Sequence, residues 1–314
     1  MISGKSAIET AKGKKNAFYN TLEELHSYFD RIDIISPVQS VLFENVFFHT
    51  DIDYTSVDVM TVHEYAPFRN GRLANQLWEK YGIPMIFEIM HIPGVPHAGT
   101  WKEWLAGWMT KWYIKRDVRN AKAVRVINTH VAVLLQEWGV PKEKVKLVPA
   151  FYIDMNIFKP LPVQKKYDIV YVGRRASNKG IELFEAAAKQ LQASNKHIKA
   201  LVVDGWAKDS QEIAHILNES RILIMPSYNE GGPRVVLEAL ACGTPVLATR
   251  VGIVPEVLPE EYIIDWTVDD IVTKVQKMLT RKVDQEALVR RVWEYEKTAA
   301  IKKYAEAIIS CAKS

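Results

Sequence analysis

The chain has 314 residues, with 41 Lys and Arg against 37 Asp and Glu and a net charge of +4. That length fits two domains, and 48% hydrophobic with 25% charged residues supplies enough apolar material for two cores. So small a positive excess gives no argument for nucleic acid and fits anionic ligands, while two cysteines without metal-ligand spacing, Cys242 and Cys311, exclude a disulfide framework and read as thiols in a reducing cytoplasm.

The N-terminal Met1-Ile-Ser-Gly-Lys5 lacks the apolar core of a signal peptide, and no apolar run is long enough to span a bilayer. The expectation is a cytoplasmic chain, soluble or peripheral at the inner membrane face. Short apolar runs predict strands over 33–36, 57–62, 85–90, 123–127 and 145–148, with helices between them. Asp51-Ile-Asp53 has the spacing of a divalent-cation pair, but it precedes a strand and reads as a solvated loop, so no metal is expected. His63 and Glu64 follow the second of these strands and His91 the third, at the carboxyl edge where a parallel sheet places its ligands. Trp101, Trp104, Trp108 and Trp112 recur at helical spacing with Lys102, Lys111, Lys115, Arg116 and Arg119 nearby. They read first as an aromatic stripe in a core; the alternative is a helix lying in a membrane interface.

The proline-rich stretch 158–163 carries no periodicity and reads as a linker. Beyond it, strands over 167–173, 200–204, 221–226 and 244–249 alternate with helices over 180–191, 211–219 and 233–242. That alternation predicts an α/β fold with doubly wound parallel sheets. The expected domains are 1–160 and 161–293, both Rossmann-like, with a C-terminal helix over 294–314 packing back on the first.

Asn229-Glu-Gly-Gly-Pro-Arg234 lies between the third strand of the second half and its following helix. Gly231 and Gly232 make a loop of small steric demand, Pro233 suits the start of a helix, and the helix N-terminus offers free N–H groups to an anion. Glu238 follows Glu230 by about two helical turns, so both carboxylates can face one cleft, and carboxylates accept well from sugar hydroxyls. Arg174, behind the strand-ending Gly173, and Lys179 supply rigid and point-like cations suited to phosphate.

This segment resembles the E-x7-E signature of the retaining family 4 glycosyltransferases. The continuation Ala239-Leu-Ala-Cys-Gly-Thr-Pro-Val246, Gly252-Ile-Val-Pro-Glu256, Gly173-Arg174 with Lys179-Gly180, and Val148-Pro-Ala-Phe-Tyr-Ile-Asp154 are similar to the same family. The resemblance implies a GT-B fold, two Rossmann-like domains facing across a cleft. It implies transfer of a hexosyl unit, with retention and without metal, from a UDP-, GDP- or ADP-sugar to a glycan or lipid-linked acceptor. The sugar nucleotide is then a substrate, no cofactor is needed and no nucleic acid takes part. Arg174 and Lys179 would clamp the diphosphate and Glu238 would hold the ribose. Glu230, Gly231 and Gly232 would hold the sugar, with Gly4, Gly173, Pro233 and Arg234 completing the donor set. His91 would join the catalytic residues Glu230, Arg174 and Lys179, with His63 and Glu64 on the acceptor side. The base contacts would come from a variable loop such as that at Gly205-Trp206. A GT-B sugar-nucleotide epimerase and a non-catalytic sugar-nucleotide-binding subunit are the competing expectations.

Overall fold

The computed structural model describes residues 1–314 other than 3, 64–68, 99, 151, 205–207 and 313–314. It divides into two units: Met1–Met90 with Met109–Ala150 and Thr298–Ser314, and His91–Trp108 with Phe151–Lys297. The chain passes between them at 90/91, 108/109, 150/151 and 297/298 rather than once at 160/161, and the residues after 151 are built into the second unit. Ile153 bridges Glu296 in parallel, and Phe158 is buried in that unit's core. The C-terminal residues from Thr298 onward belong to the first unit.

In the first unit, β1 (Ile32–Ile35), β2 (Ser40–Leu42) and β3 (Val46–His49) form a small sheet in the order β1-β3-β2. The strands β4 (Met60–His63), β5 (Met85–Ile89), β6 (Ala123–Val126) and β7 (Val145–Leu147) form a parallel sheet in chain order. The first two residues join the two sheets. Ile2 N–H donates to the Thr61 carbonyl and His63 N–H to that of Ile2, both at 2.9 Å, while Ile35 N–H reaches the Met1 carbonyl at 3.1 Å. The short leading segment thus acts as a one-residue strand.

In the second unit, β8 (Tyr167–Val172), β9 (Ala200–Val203), β10 (Ser220–Met225), β11 (Val246–Thr249) and β12 (Ile263–Ile264) form one all-parallel sheet in the order β12-β11-β10-β8-β9. β10 and β11 are apolar nearly throughout because helices cover both faces, which gives the continuous runs seen in the sequence. With β8 beside β10, the loops after β8, β10 and β11 gather at one edge.

The tryptophan stripe is not in a core. In the helix Trp101–Asp117, Trp101, Trp104, Trp108 and Trp112 are 64–70% exposed. The helix instead seats Thr110, Ile114 and Asp117, which are buried, and the expectation of a buried stripe is corrected accordingly. Among the described residues no helix is long and apolar enough to cross a membrane.

Candidate active site

β8 ends at Val172, and Gly173 N–H extends the pairing by donating to the Val203 carbonyl at 3.0 Å. The chain then turns through exposed Arg174 to a short 3-10 turn, Ser177–Lys179, which closes on Gly180. Gly180 has φ +63°, and a Cβ there would lie 2.0 Å from the Pro226 carbonyl oxygen. Only glycine permits that backbone contact, which holds the turn against the end of β10. Lys179 consequently meets Glu230 and the two form an ion pair, with side chains only 20% and 14% exposed. Ser227 Oγ donates to the same Glu230 oxygen at 3.1 Å.

After Glu230 the chain runs through Gly231, Gly232 and Pro233 into the helix Arg234–Ala241. Pro233 stands at the N-cap position, so the helix starts one residue later than expected, and no side chain caps it. The loop after β11 presses on this turn: Gly252 has φ +55°, and a Cβ there would lie 2.3 Å from the Gly231 carbonyl oxygen. Glu238 pairs with Arg234 one helical turn back at 3.5 Å. Burial pushes the Glu238 carboxyl above its ordinary range, and the Arg234 charge only partly opposes this. The two glutamates of the motif therefore each have their own cation, and they flank a glycine turn with an uncapped helix N-terminus.

His91 also stands in the second unit, apart from the strand that precedes it in sequence. Desolvation lowers its pKa; the carboxylates of Glu230 and Glu103 oppose that, and the Lys179 charge adds to it. His91 thus shares an electrostatic environment with the Lys179–Glu230 pair. Several neighbours of the pair carry no periodic or motif signal in the sequence. The His97 ring stacks on Trp266 at 5.3 Å, and Trp266 Nε1 donates to the Ser227 carbonyl at 3.0 Å. Asn229 Nδ2 donates to the His97 carbonyl and to Glu103 Oε2, each at 3.2 Å, tying segment 91–108 to the glutamate loop. The Tyr171 hydroxyl donates to the Arg174 carbonyl at 3.1 Å. Burial first, then the Glu230 and Glu182 charges, push that phenol up to about 12. Ser227 was the most legible of these, being polar at the end of an apolar strand three residues before Glu230.

The remaining expected residues lie in the first unit or outside the described residues. Glu64 and the Gly205-Trp206 loop are outside them. Gly4 precedes the short helix Lys5–Ala11. Asp53 accepts from its own turn, from Thr55 N–H at 3.0 Å and Thr55 Oγ1 at 2.6 Å. His63 belongs to a buried network that sequence reading missed. Register places His63 beside Glu88 and Glu88 beside Arg125 across β4, β5 and β6. Glu88 lies 2.8 Å from His63 Nε2, accepts from Arg125 Nη1 at 2.6 Å and from the Tyr304 hydroxyl at 2.5 Å. The Arg125 guanidinium lies 3.6 Å from the centre of the Tyr304 ring. The network fastens the helix Lys297–Ile309 to the sheet, which gives His63 a structural task. A separate cavity of about 510 Å³ in this unit, lined by Met1, Tyr28, Asp33, Tyr54 and Ile308 among others, contains none of the candidate site residues.

The family described as "Glycosyl transferases group 1" matches residues 205–305, and the "Glycosyl transferase 4-like domain" matches residues 52–150. Residues 52–150 and 205–305 are thus each similar to the group 1, GT4-like glycosyltransferases. One similar relative is the Bacillus subtilis protein named as a teichuronic acid biosynthesis glycosyltransferase, TuaC. It is 31% identical over 150 residues, which are 43% of this chain and 34% of that protein. The chain spans between 32% and 40% of the first four curated relatives it matches. Among solved structures, sucrose-phosphate synthase of Thermosynechococcus elongatus aligns with a TM-score of 0.75 at 17% identity, covering 95% of this chain and 93% of that one. HepE of Anabaena, in complex with UDP and glucose, aligns with a TM-score of 0.67 at 13% identity over 98% of both chains. The chain therefore has the GT-B fold.

Proposed function

We propose that the chain transfers a hexosyl unit from a nucleoside-diphosphate sugar to an acceptor hydroxyl of a glycan or lipid-linked sugar, with retention and without a bound metal. The observation that carries the reading is the Lys179–Glu230 ion pair beside the uncapped N-terminus of the helix Arg234–Ala241. Without donor, Glu230 neutralises Lys179. An arriving diphosphate takes over the lysine, joined by Arg174 and the helix N–H groups. Glu230 is then released to accept from sugar hydroxyls. Negative charge grows on the leaving diphosphate in the transition state, so cations already fixed there lower the barrier. These cations and the helix dipole do the neutralising work that a divalent ion does elsewhere. Retention follows if the acceptor attacks on the face the diphosphate leaves. His91, held towards its neutral form by desolvation, is suited to orient a hydroxyl by hydrogen bonding. The UDP in the HepE complex makes UDP-sugars the first donors to try.

The test is release of nucleoside diphosphate from UDP-, GDP- and ADP-sugars, with steady-state kinetics on two glutamine variants. Glu238→Gln is expected mainly to raise donor KM, since ribose is unchanged by the reaction and its contacts count equally in ground and transition states. Glu230→Gln is expected mainly to lower kcat, because charge develops on the sugar it holds. Burial raises the folded Glu238 pKa, so acidification protonates it early: donor KM of the parent protein rises on the acid side, and Glu238→Gln flattens that rise. Turnover persists in excess EDTA. No release and no donor-induced thermal shift with any of these donors would sink the reading; complete loss with EDTA, restored by magnesium or manganese, would overturn its metal-free part.

A further inference from the structure

The helix Trp101–Asp117 carries four of the chain's nine tryptophans, and all four are about two-thirds exposed. At about 100° per residue, Trp101, Trp104, Trp108 and Trp112 fall within an arc of about 80°. Gly107, Thr110, Ile114 and Asp117 fall on the opposite side. That opposite side is the seated one. A Cβ on Gly107 would lie 2.5 Å from the Pro93 carbonyl oxygen, Ile114 is 1% exposed, and Asn75 Nδ2 donates to the Asp117 carbonyl at 3.0 Å. Leu105 and Met109, each 38% exposed, widen the outward stripe.

Charge is sorted the same way. Lys102, Lys111 and Lys115 are exposed on the outward half or its flanks, and Arg116 packs its guanidinium 4.9 Å from the Tyr113 ring beside them. The helix's two acidic residues are turned inward: Glu103 accepts from Asn229, and Asp117 is buried and paired with Arg116. The outward face therefore combines indoles and aliphatic groups with cations and has no carboxylate. A protein partner or a second copy of this chain would ordinarily match cations with discrete acidic groups around an apolar centre, and the cations here run along the whole length of the stripe. An extended surface that is apolar at depth and negative at its boundary matches both features. Indole rings favour that boundary because they are apolar with one N–H donor.

We infer that the Trp101–Asp117 helix lies flat in the headgroup layer of an anionic bilayer, tryptophans down and lysines against lipid phosphates. The contact is peripheral, since the helix is neither long nor apolar enough to span. It concerns a face distinct from the Lys179–Glu230 pair, and binding is measured without any sugar donor, so it stands or falls apart from the proposed reaction.

The experiment is sedimentation of the full chain with vesicles of phosphatidylcholine alone and of phosphatidylcholine with phosphatidylglycerol, at low and high salt. It is paired with tryptophan quenching by brominated lipid. The parent protein is expected to bind the anionic vesicles, to be quenched there, and to be released by salt. Lys102→Glu with Lys115→Glu should weaken binding by at least about tenfold, since each basic residue near such a surface contributes appreciably. Trp104→Ser with Trp108→Ser should weaken it as much and remove most of the quenching. Circular dichroism and melting of both variants should match the parent, as the changed side chains are exposed. Failure to bind anionic vesicles overturns the inference. So does binding that neither variant weakens, or a dimer in light scattering that dissolves in the tryptophan variant without any vesicle binding.

Discussion

Replacing Arg125 with alanine is expected to destabilise the protein by about 3–5 kcal/mol, the usual cost of leaving a buried charge without its partner. Glu88 is 1% exposed and Arg125 3%, so neither can turn to water when the other is removed. The guanidinium also donates to the Val148 carbonyl at 3.3 Å and the Pro149 carbonyl at 2.5 Å, and both acceptors would lose that bond, the first of them buried. Urea unfolding checks the magnitude. Glu88→Leu with Arg125→Met should recover much of the loss, because it removes the desolvated charges together. A loss below about 1 kcal/mol, the range of exposed pairs, would mean that the network is looser in solution. Acid provides a second measurement. Burial alone would raise the Glu88 carboxyl, but the charges of His63 and Arg125, with hydrogen bonds from His63 and Tyr304, outweigh it and hold the group at about 2. In the unfolded chain the same carboxyl takes a proton near 4.5, before the folded one does. Its contribution is therefore complete above that value and is lost as pH falls from there towards about 2. The parent should show this acid loss and the Glu88→Leu, Arg125→Met protein should show much less of it.

Lys179→Ala is expected to lower turnover about 10²–10³-fold, the effect of deleting one preorganised group aimed at developing charge. The fold should tolerate the change, since Glu230 keeps the Ser227 hydrogen bond and remains partly exposed. Lys179→Arg keeps the charge but not the compact ammonium shape, and it should fall between the parent and the alanine protein. Kinetics with the best donor, with a thermal melt as control, decide the matter. If Lys179→Ala and Arg174→Ala both turn over near normally, the diphosphate assignment fails whatever the donor proves to be.

Much of the second unit was legible because its signals are local. β8 and β10 are apolar runs since a central parallel strand is buried on both faces, and the glycine turn, Glu230 and the helix start lie within a few residues of one another. β2, β3 and β12 were not among the expected strands; what defines them is pairing with other segments, β3 with β1 and β2, and β12 with β11. The partners of Glu230 were beyond local reading too. Lys179 is 51 residues away in sequence, and only the close approach of Gly180 to Pro226 brings it near.

Two features mark the boundary most sharply. Glu88 and Arg125 each stood in the sequence as one charge inside an apolar strand, and His63 as one imidazole at the end of another. Strand register, a relation between segments 25 and 37 residues apart, decided that they form one network. In the tryptophan helix, spacing alone determined that Trp101, Trp104, Trp108 and Trp112 share a face, because backbone geometry fixes which residues lie along one side. Whether that face turns inward depends on what the rest of the chain packs beneath it. Gly107 and Ile114 took the seat, and the tryptophans were left in solvent.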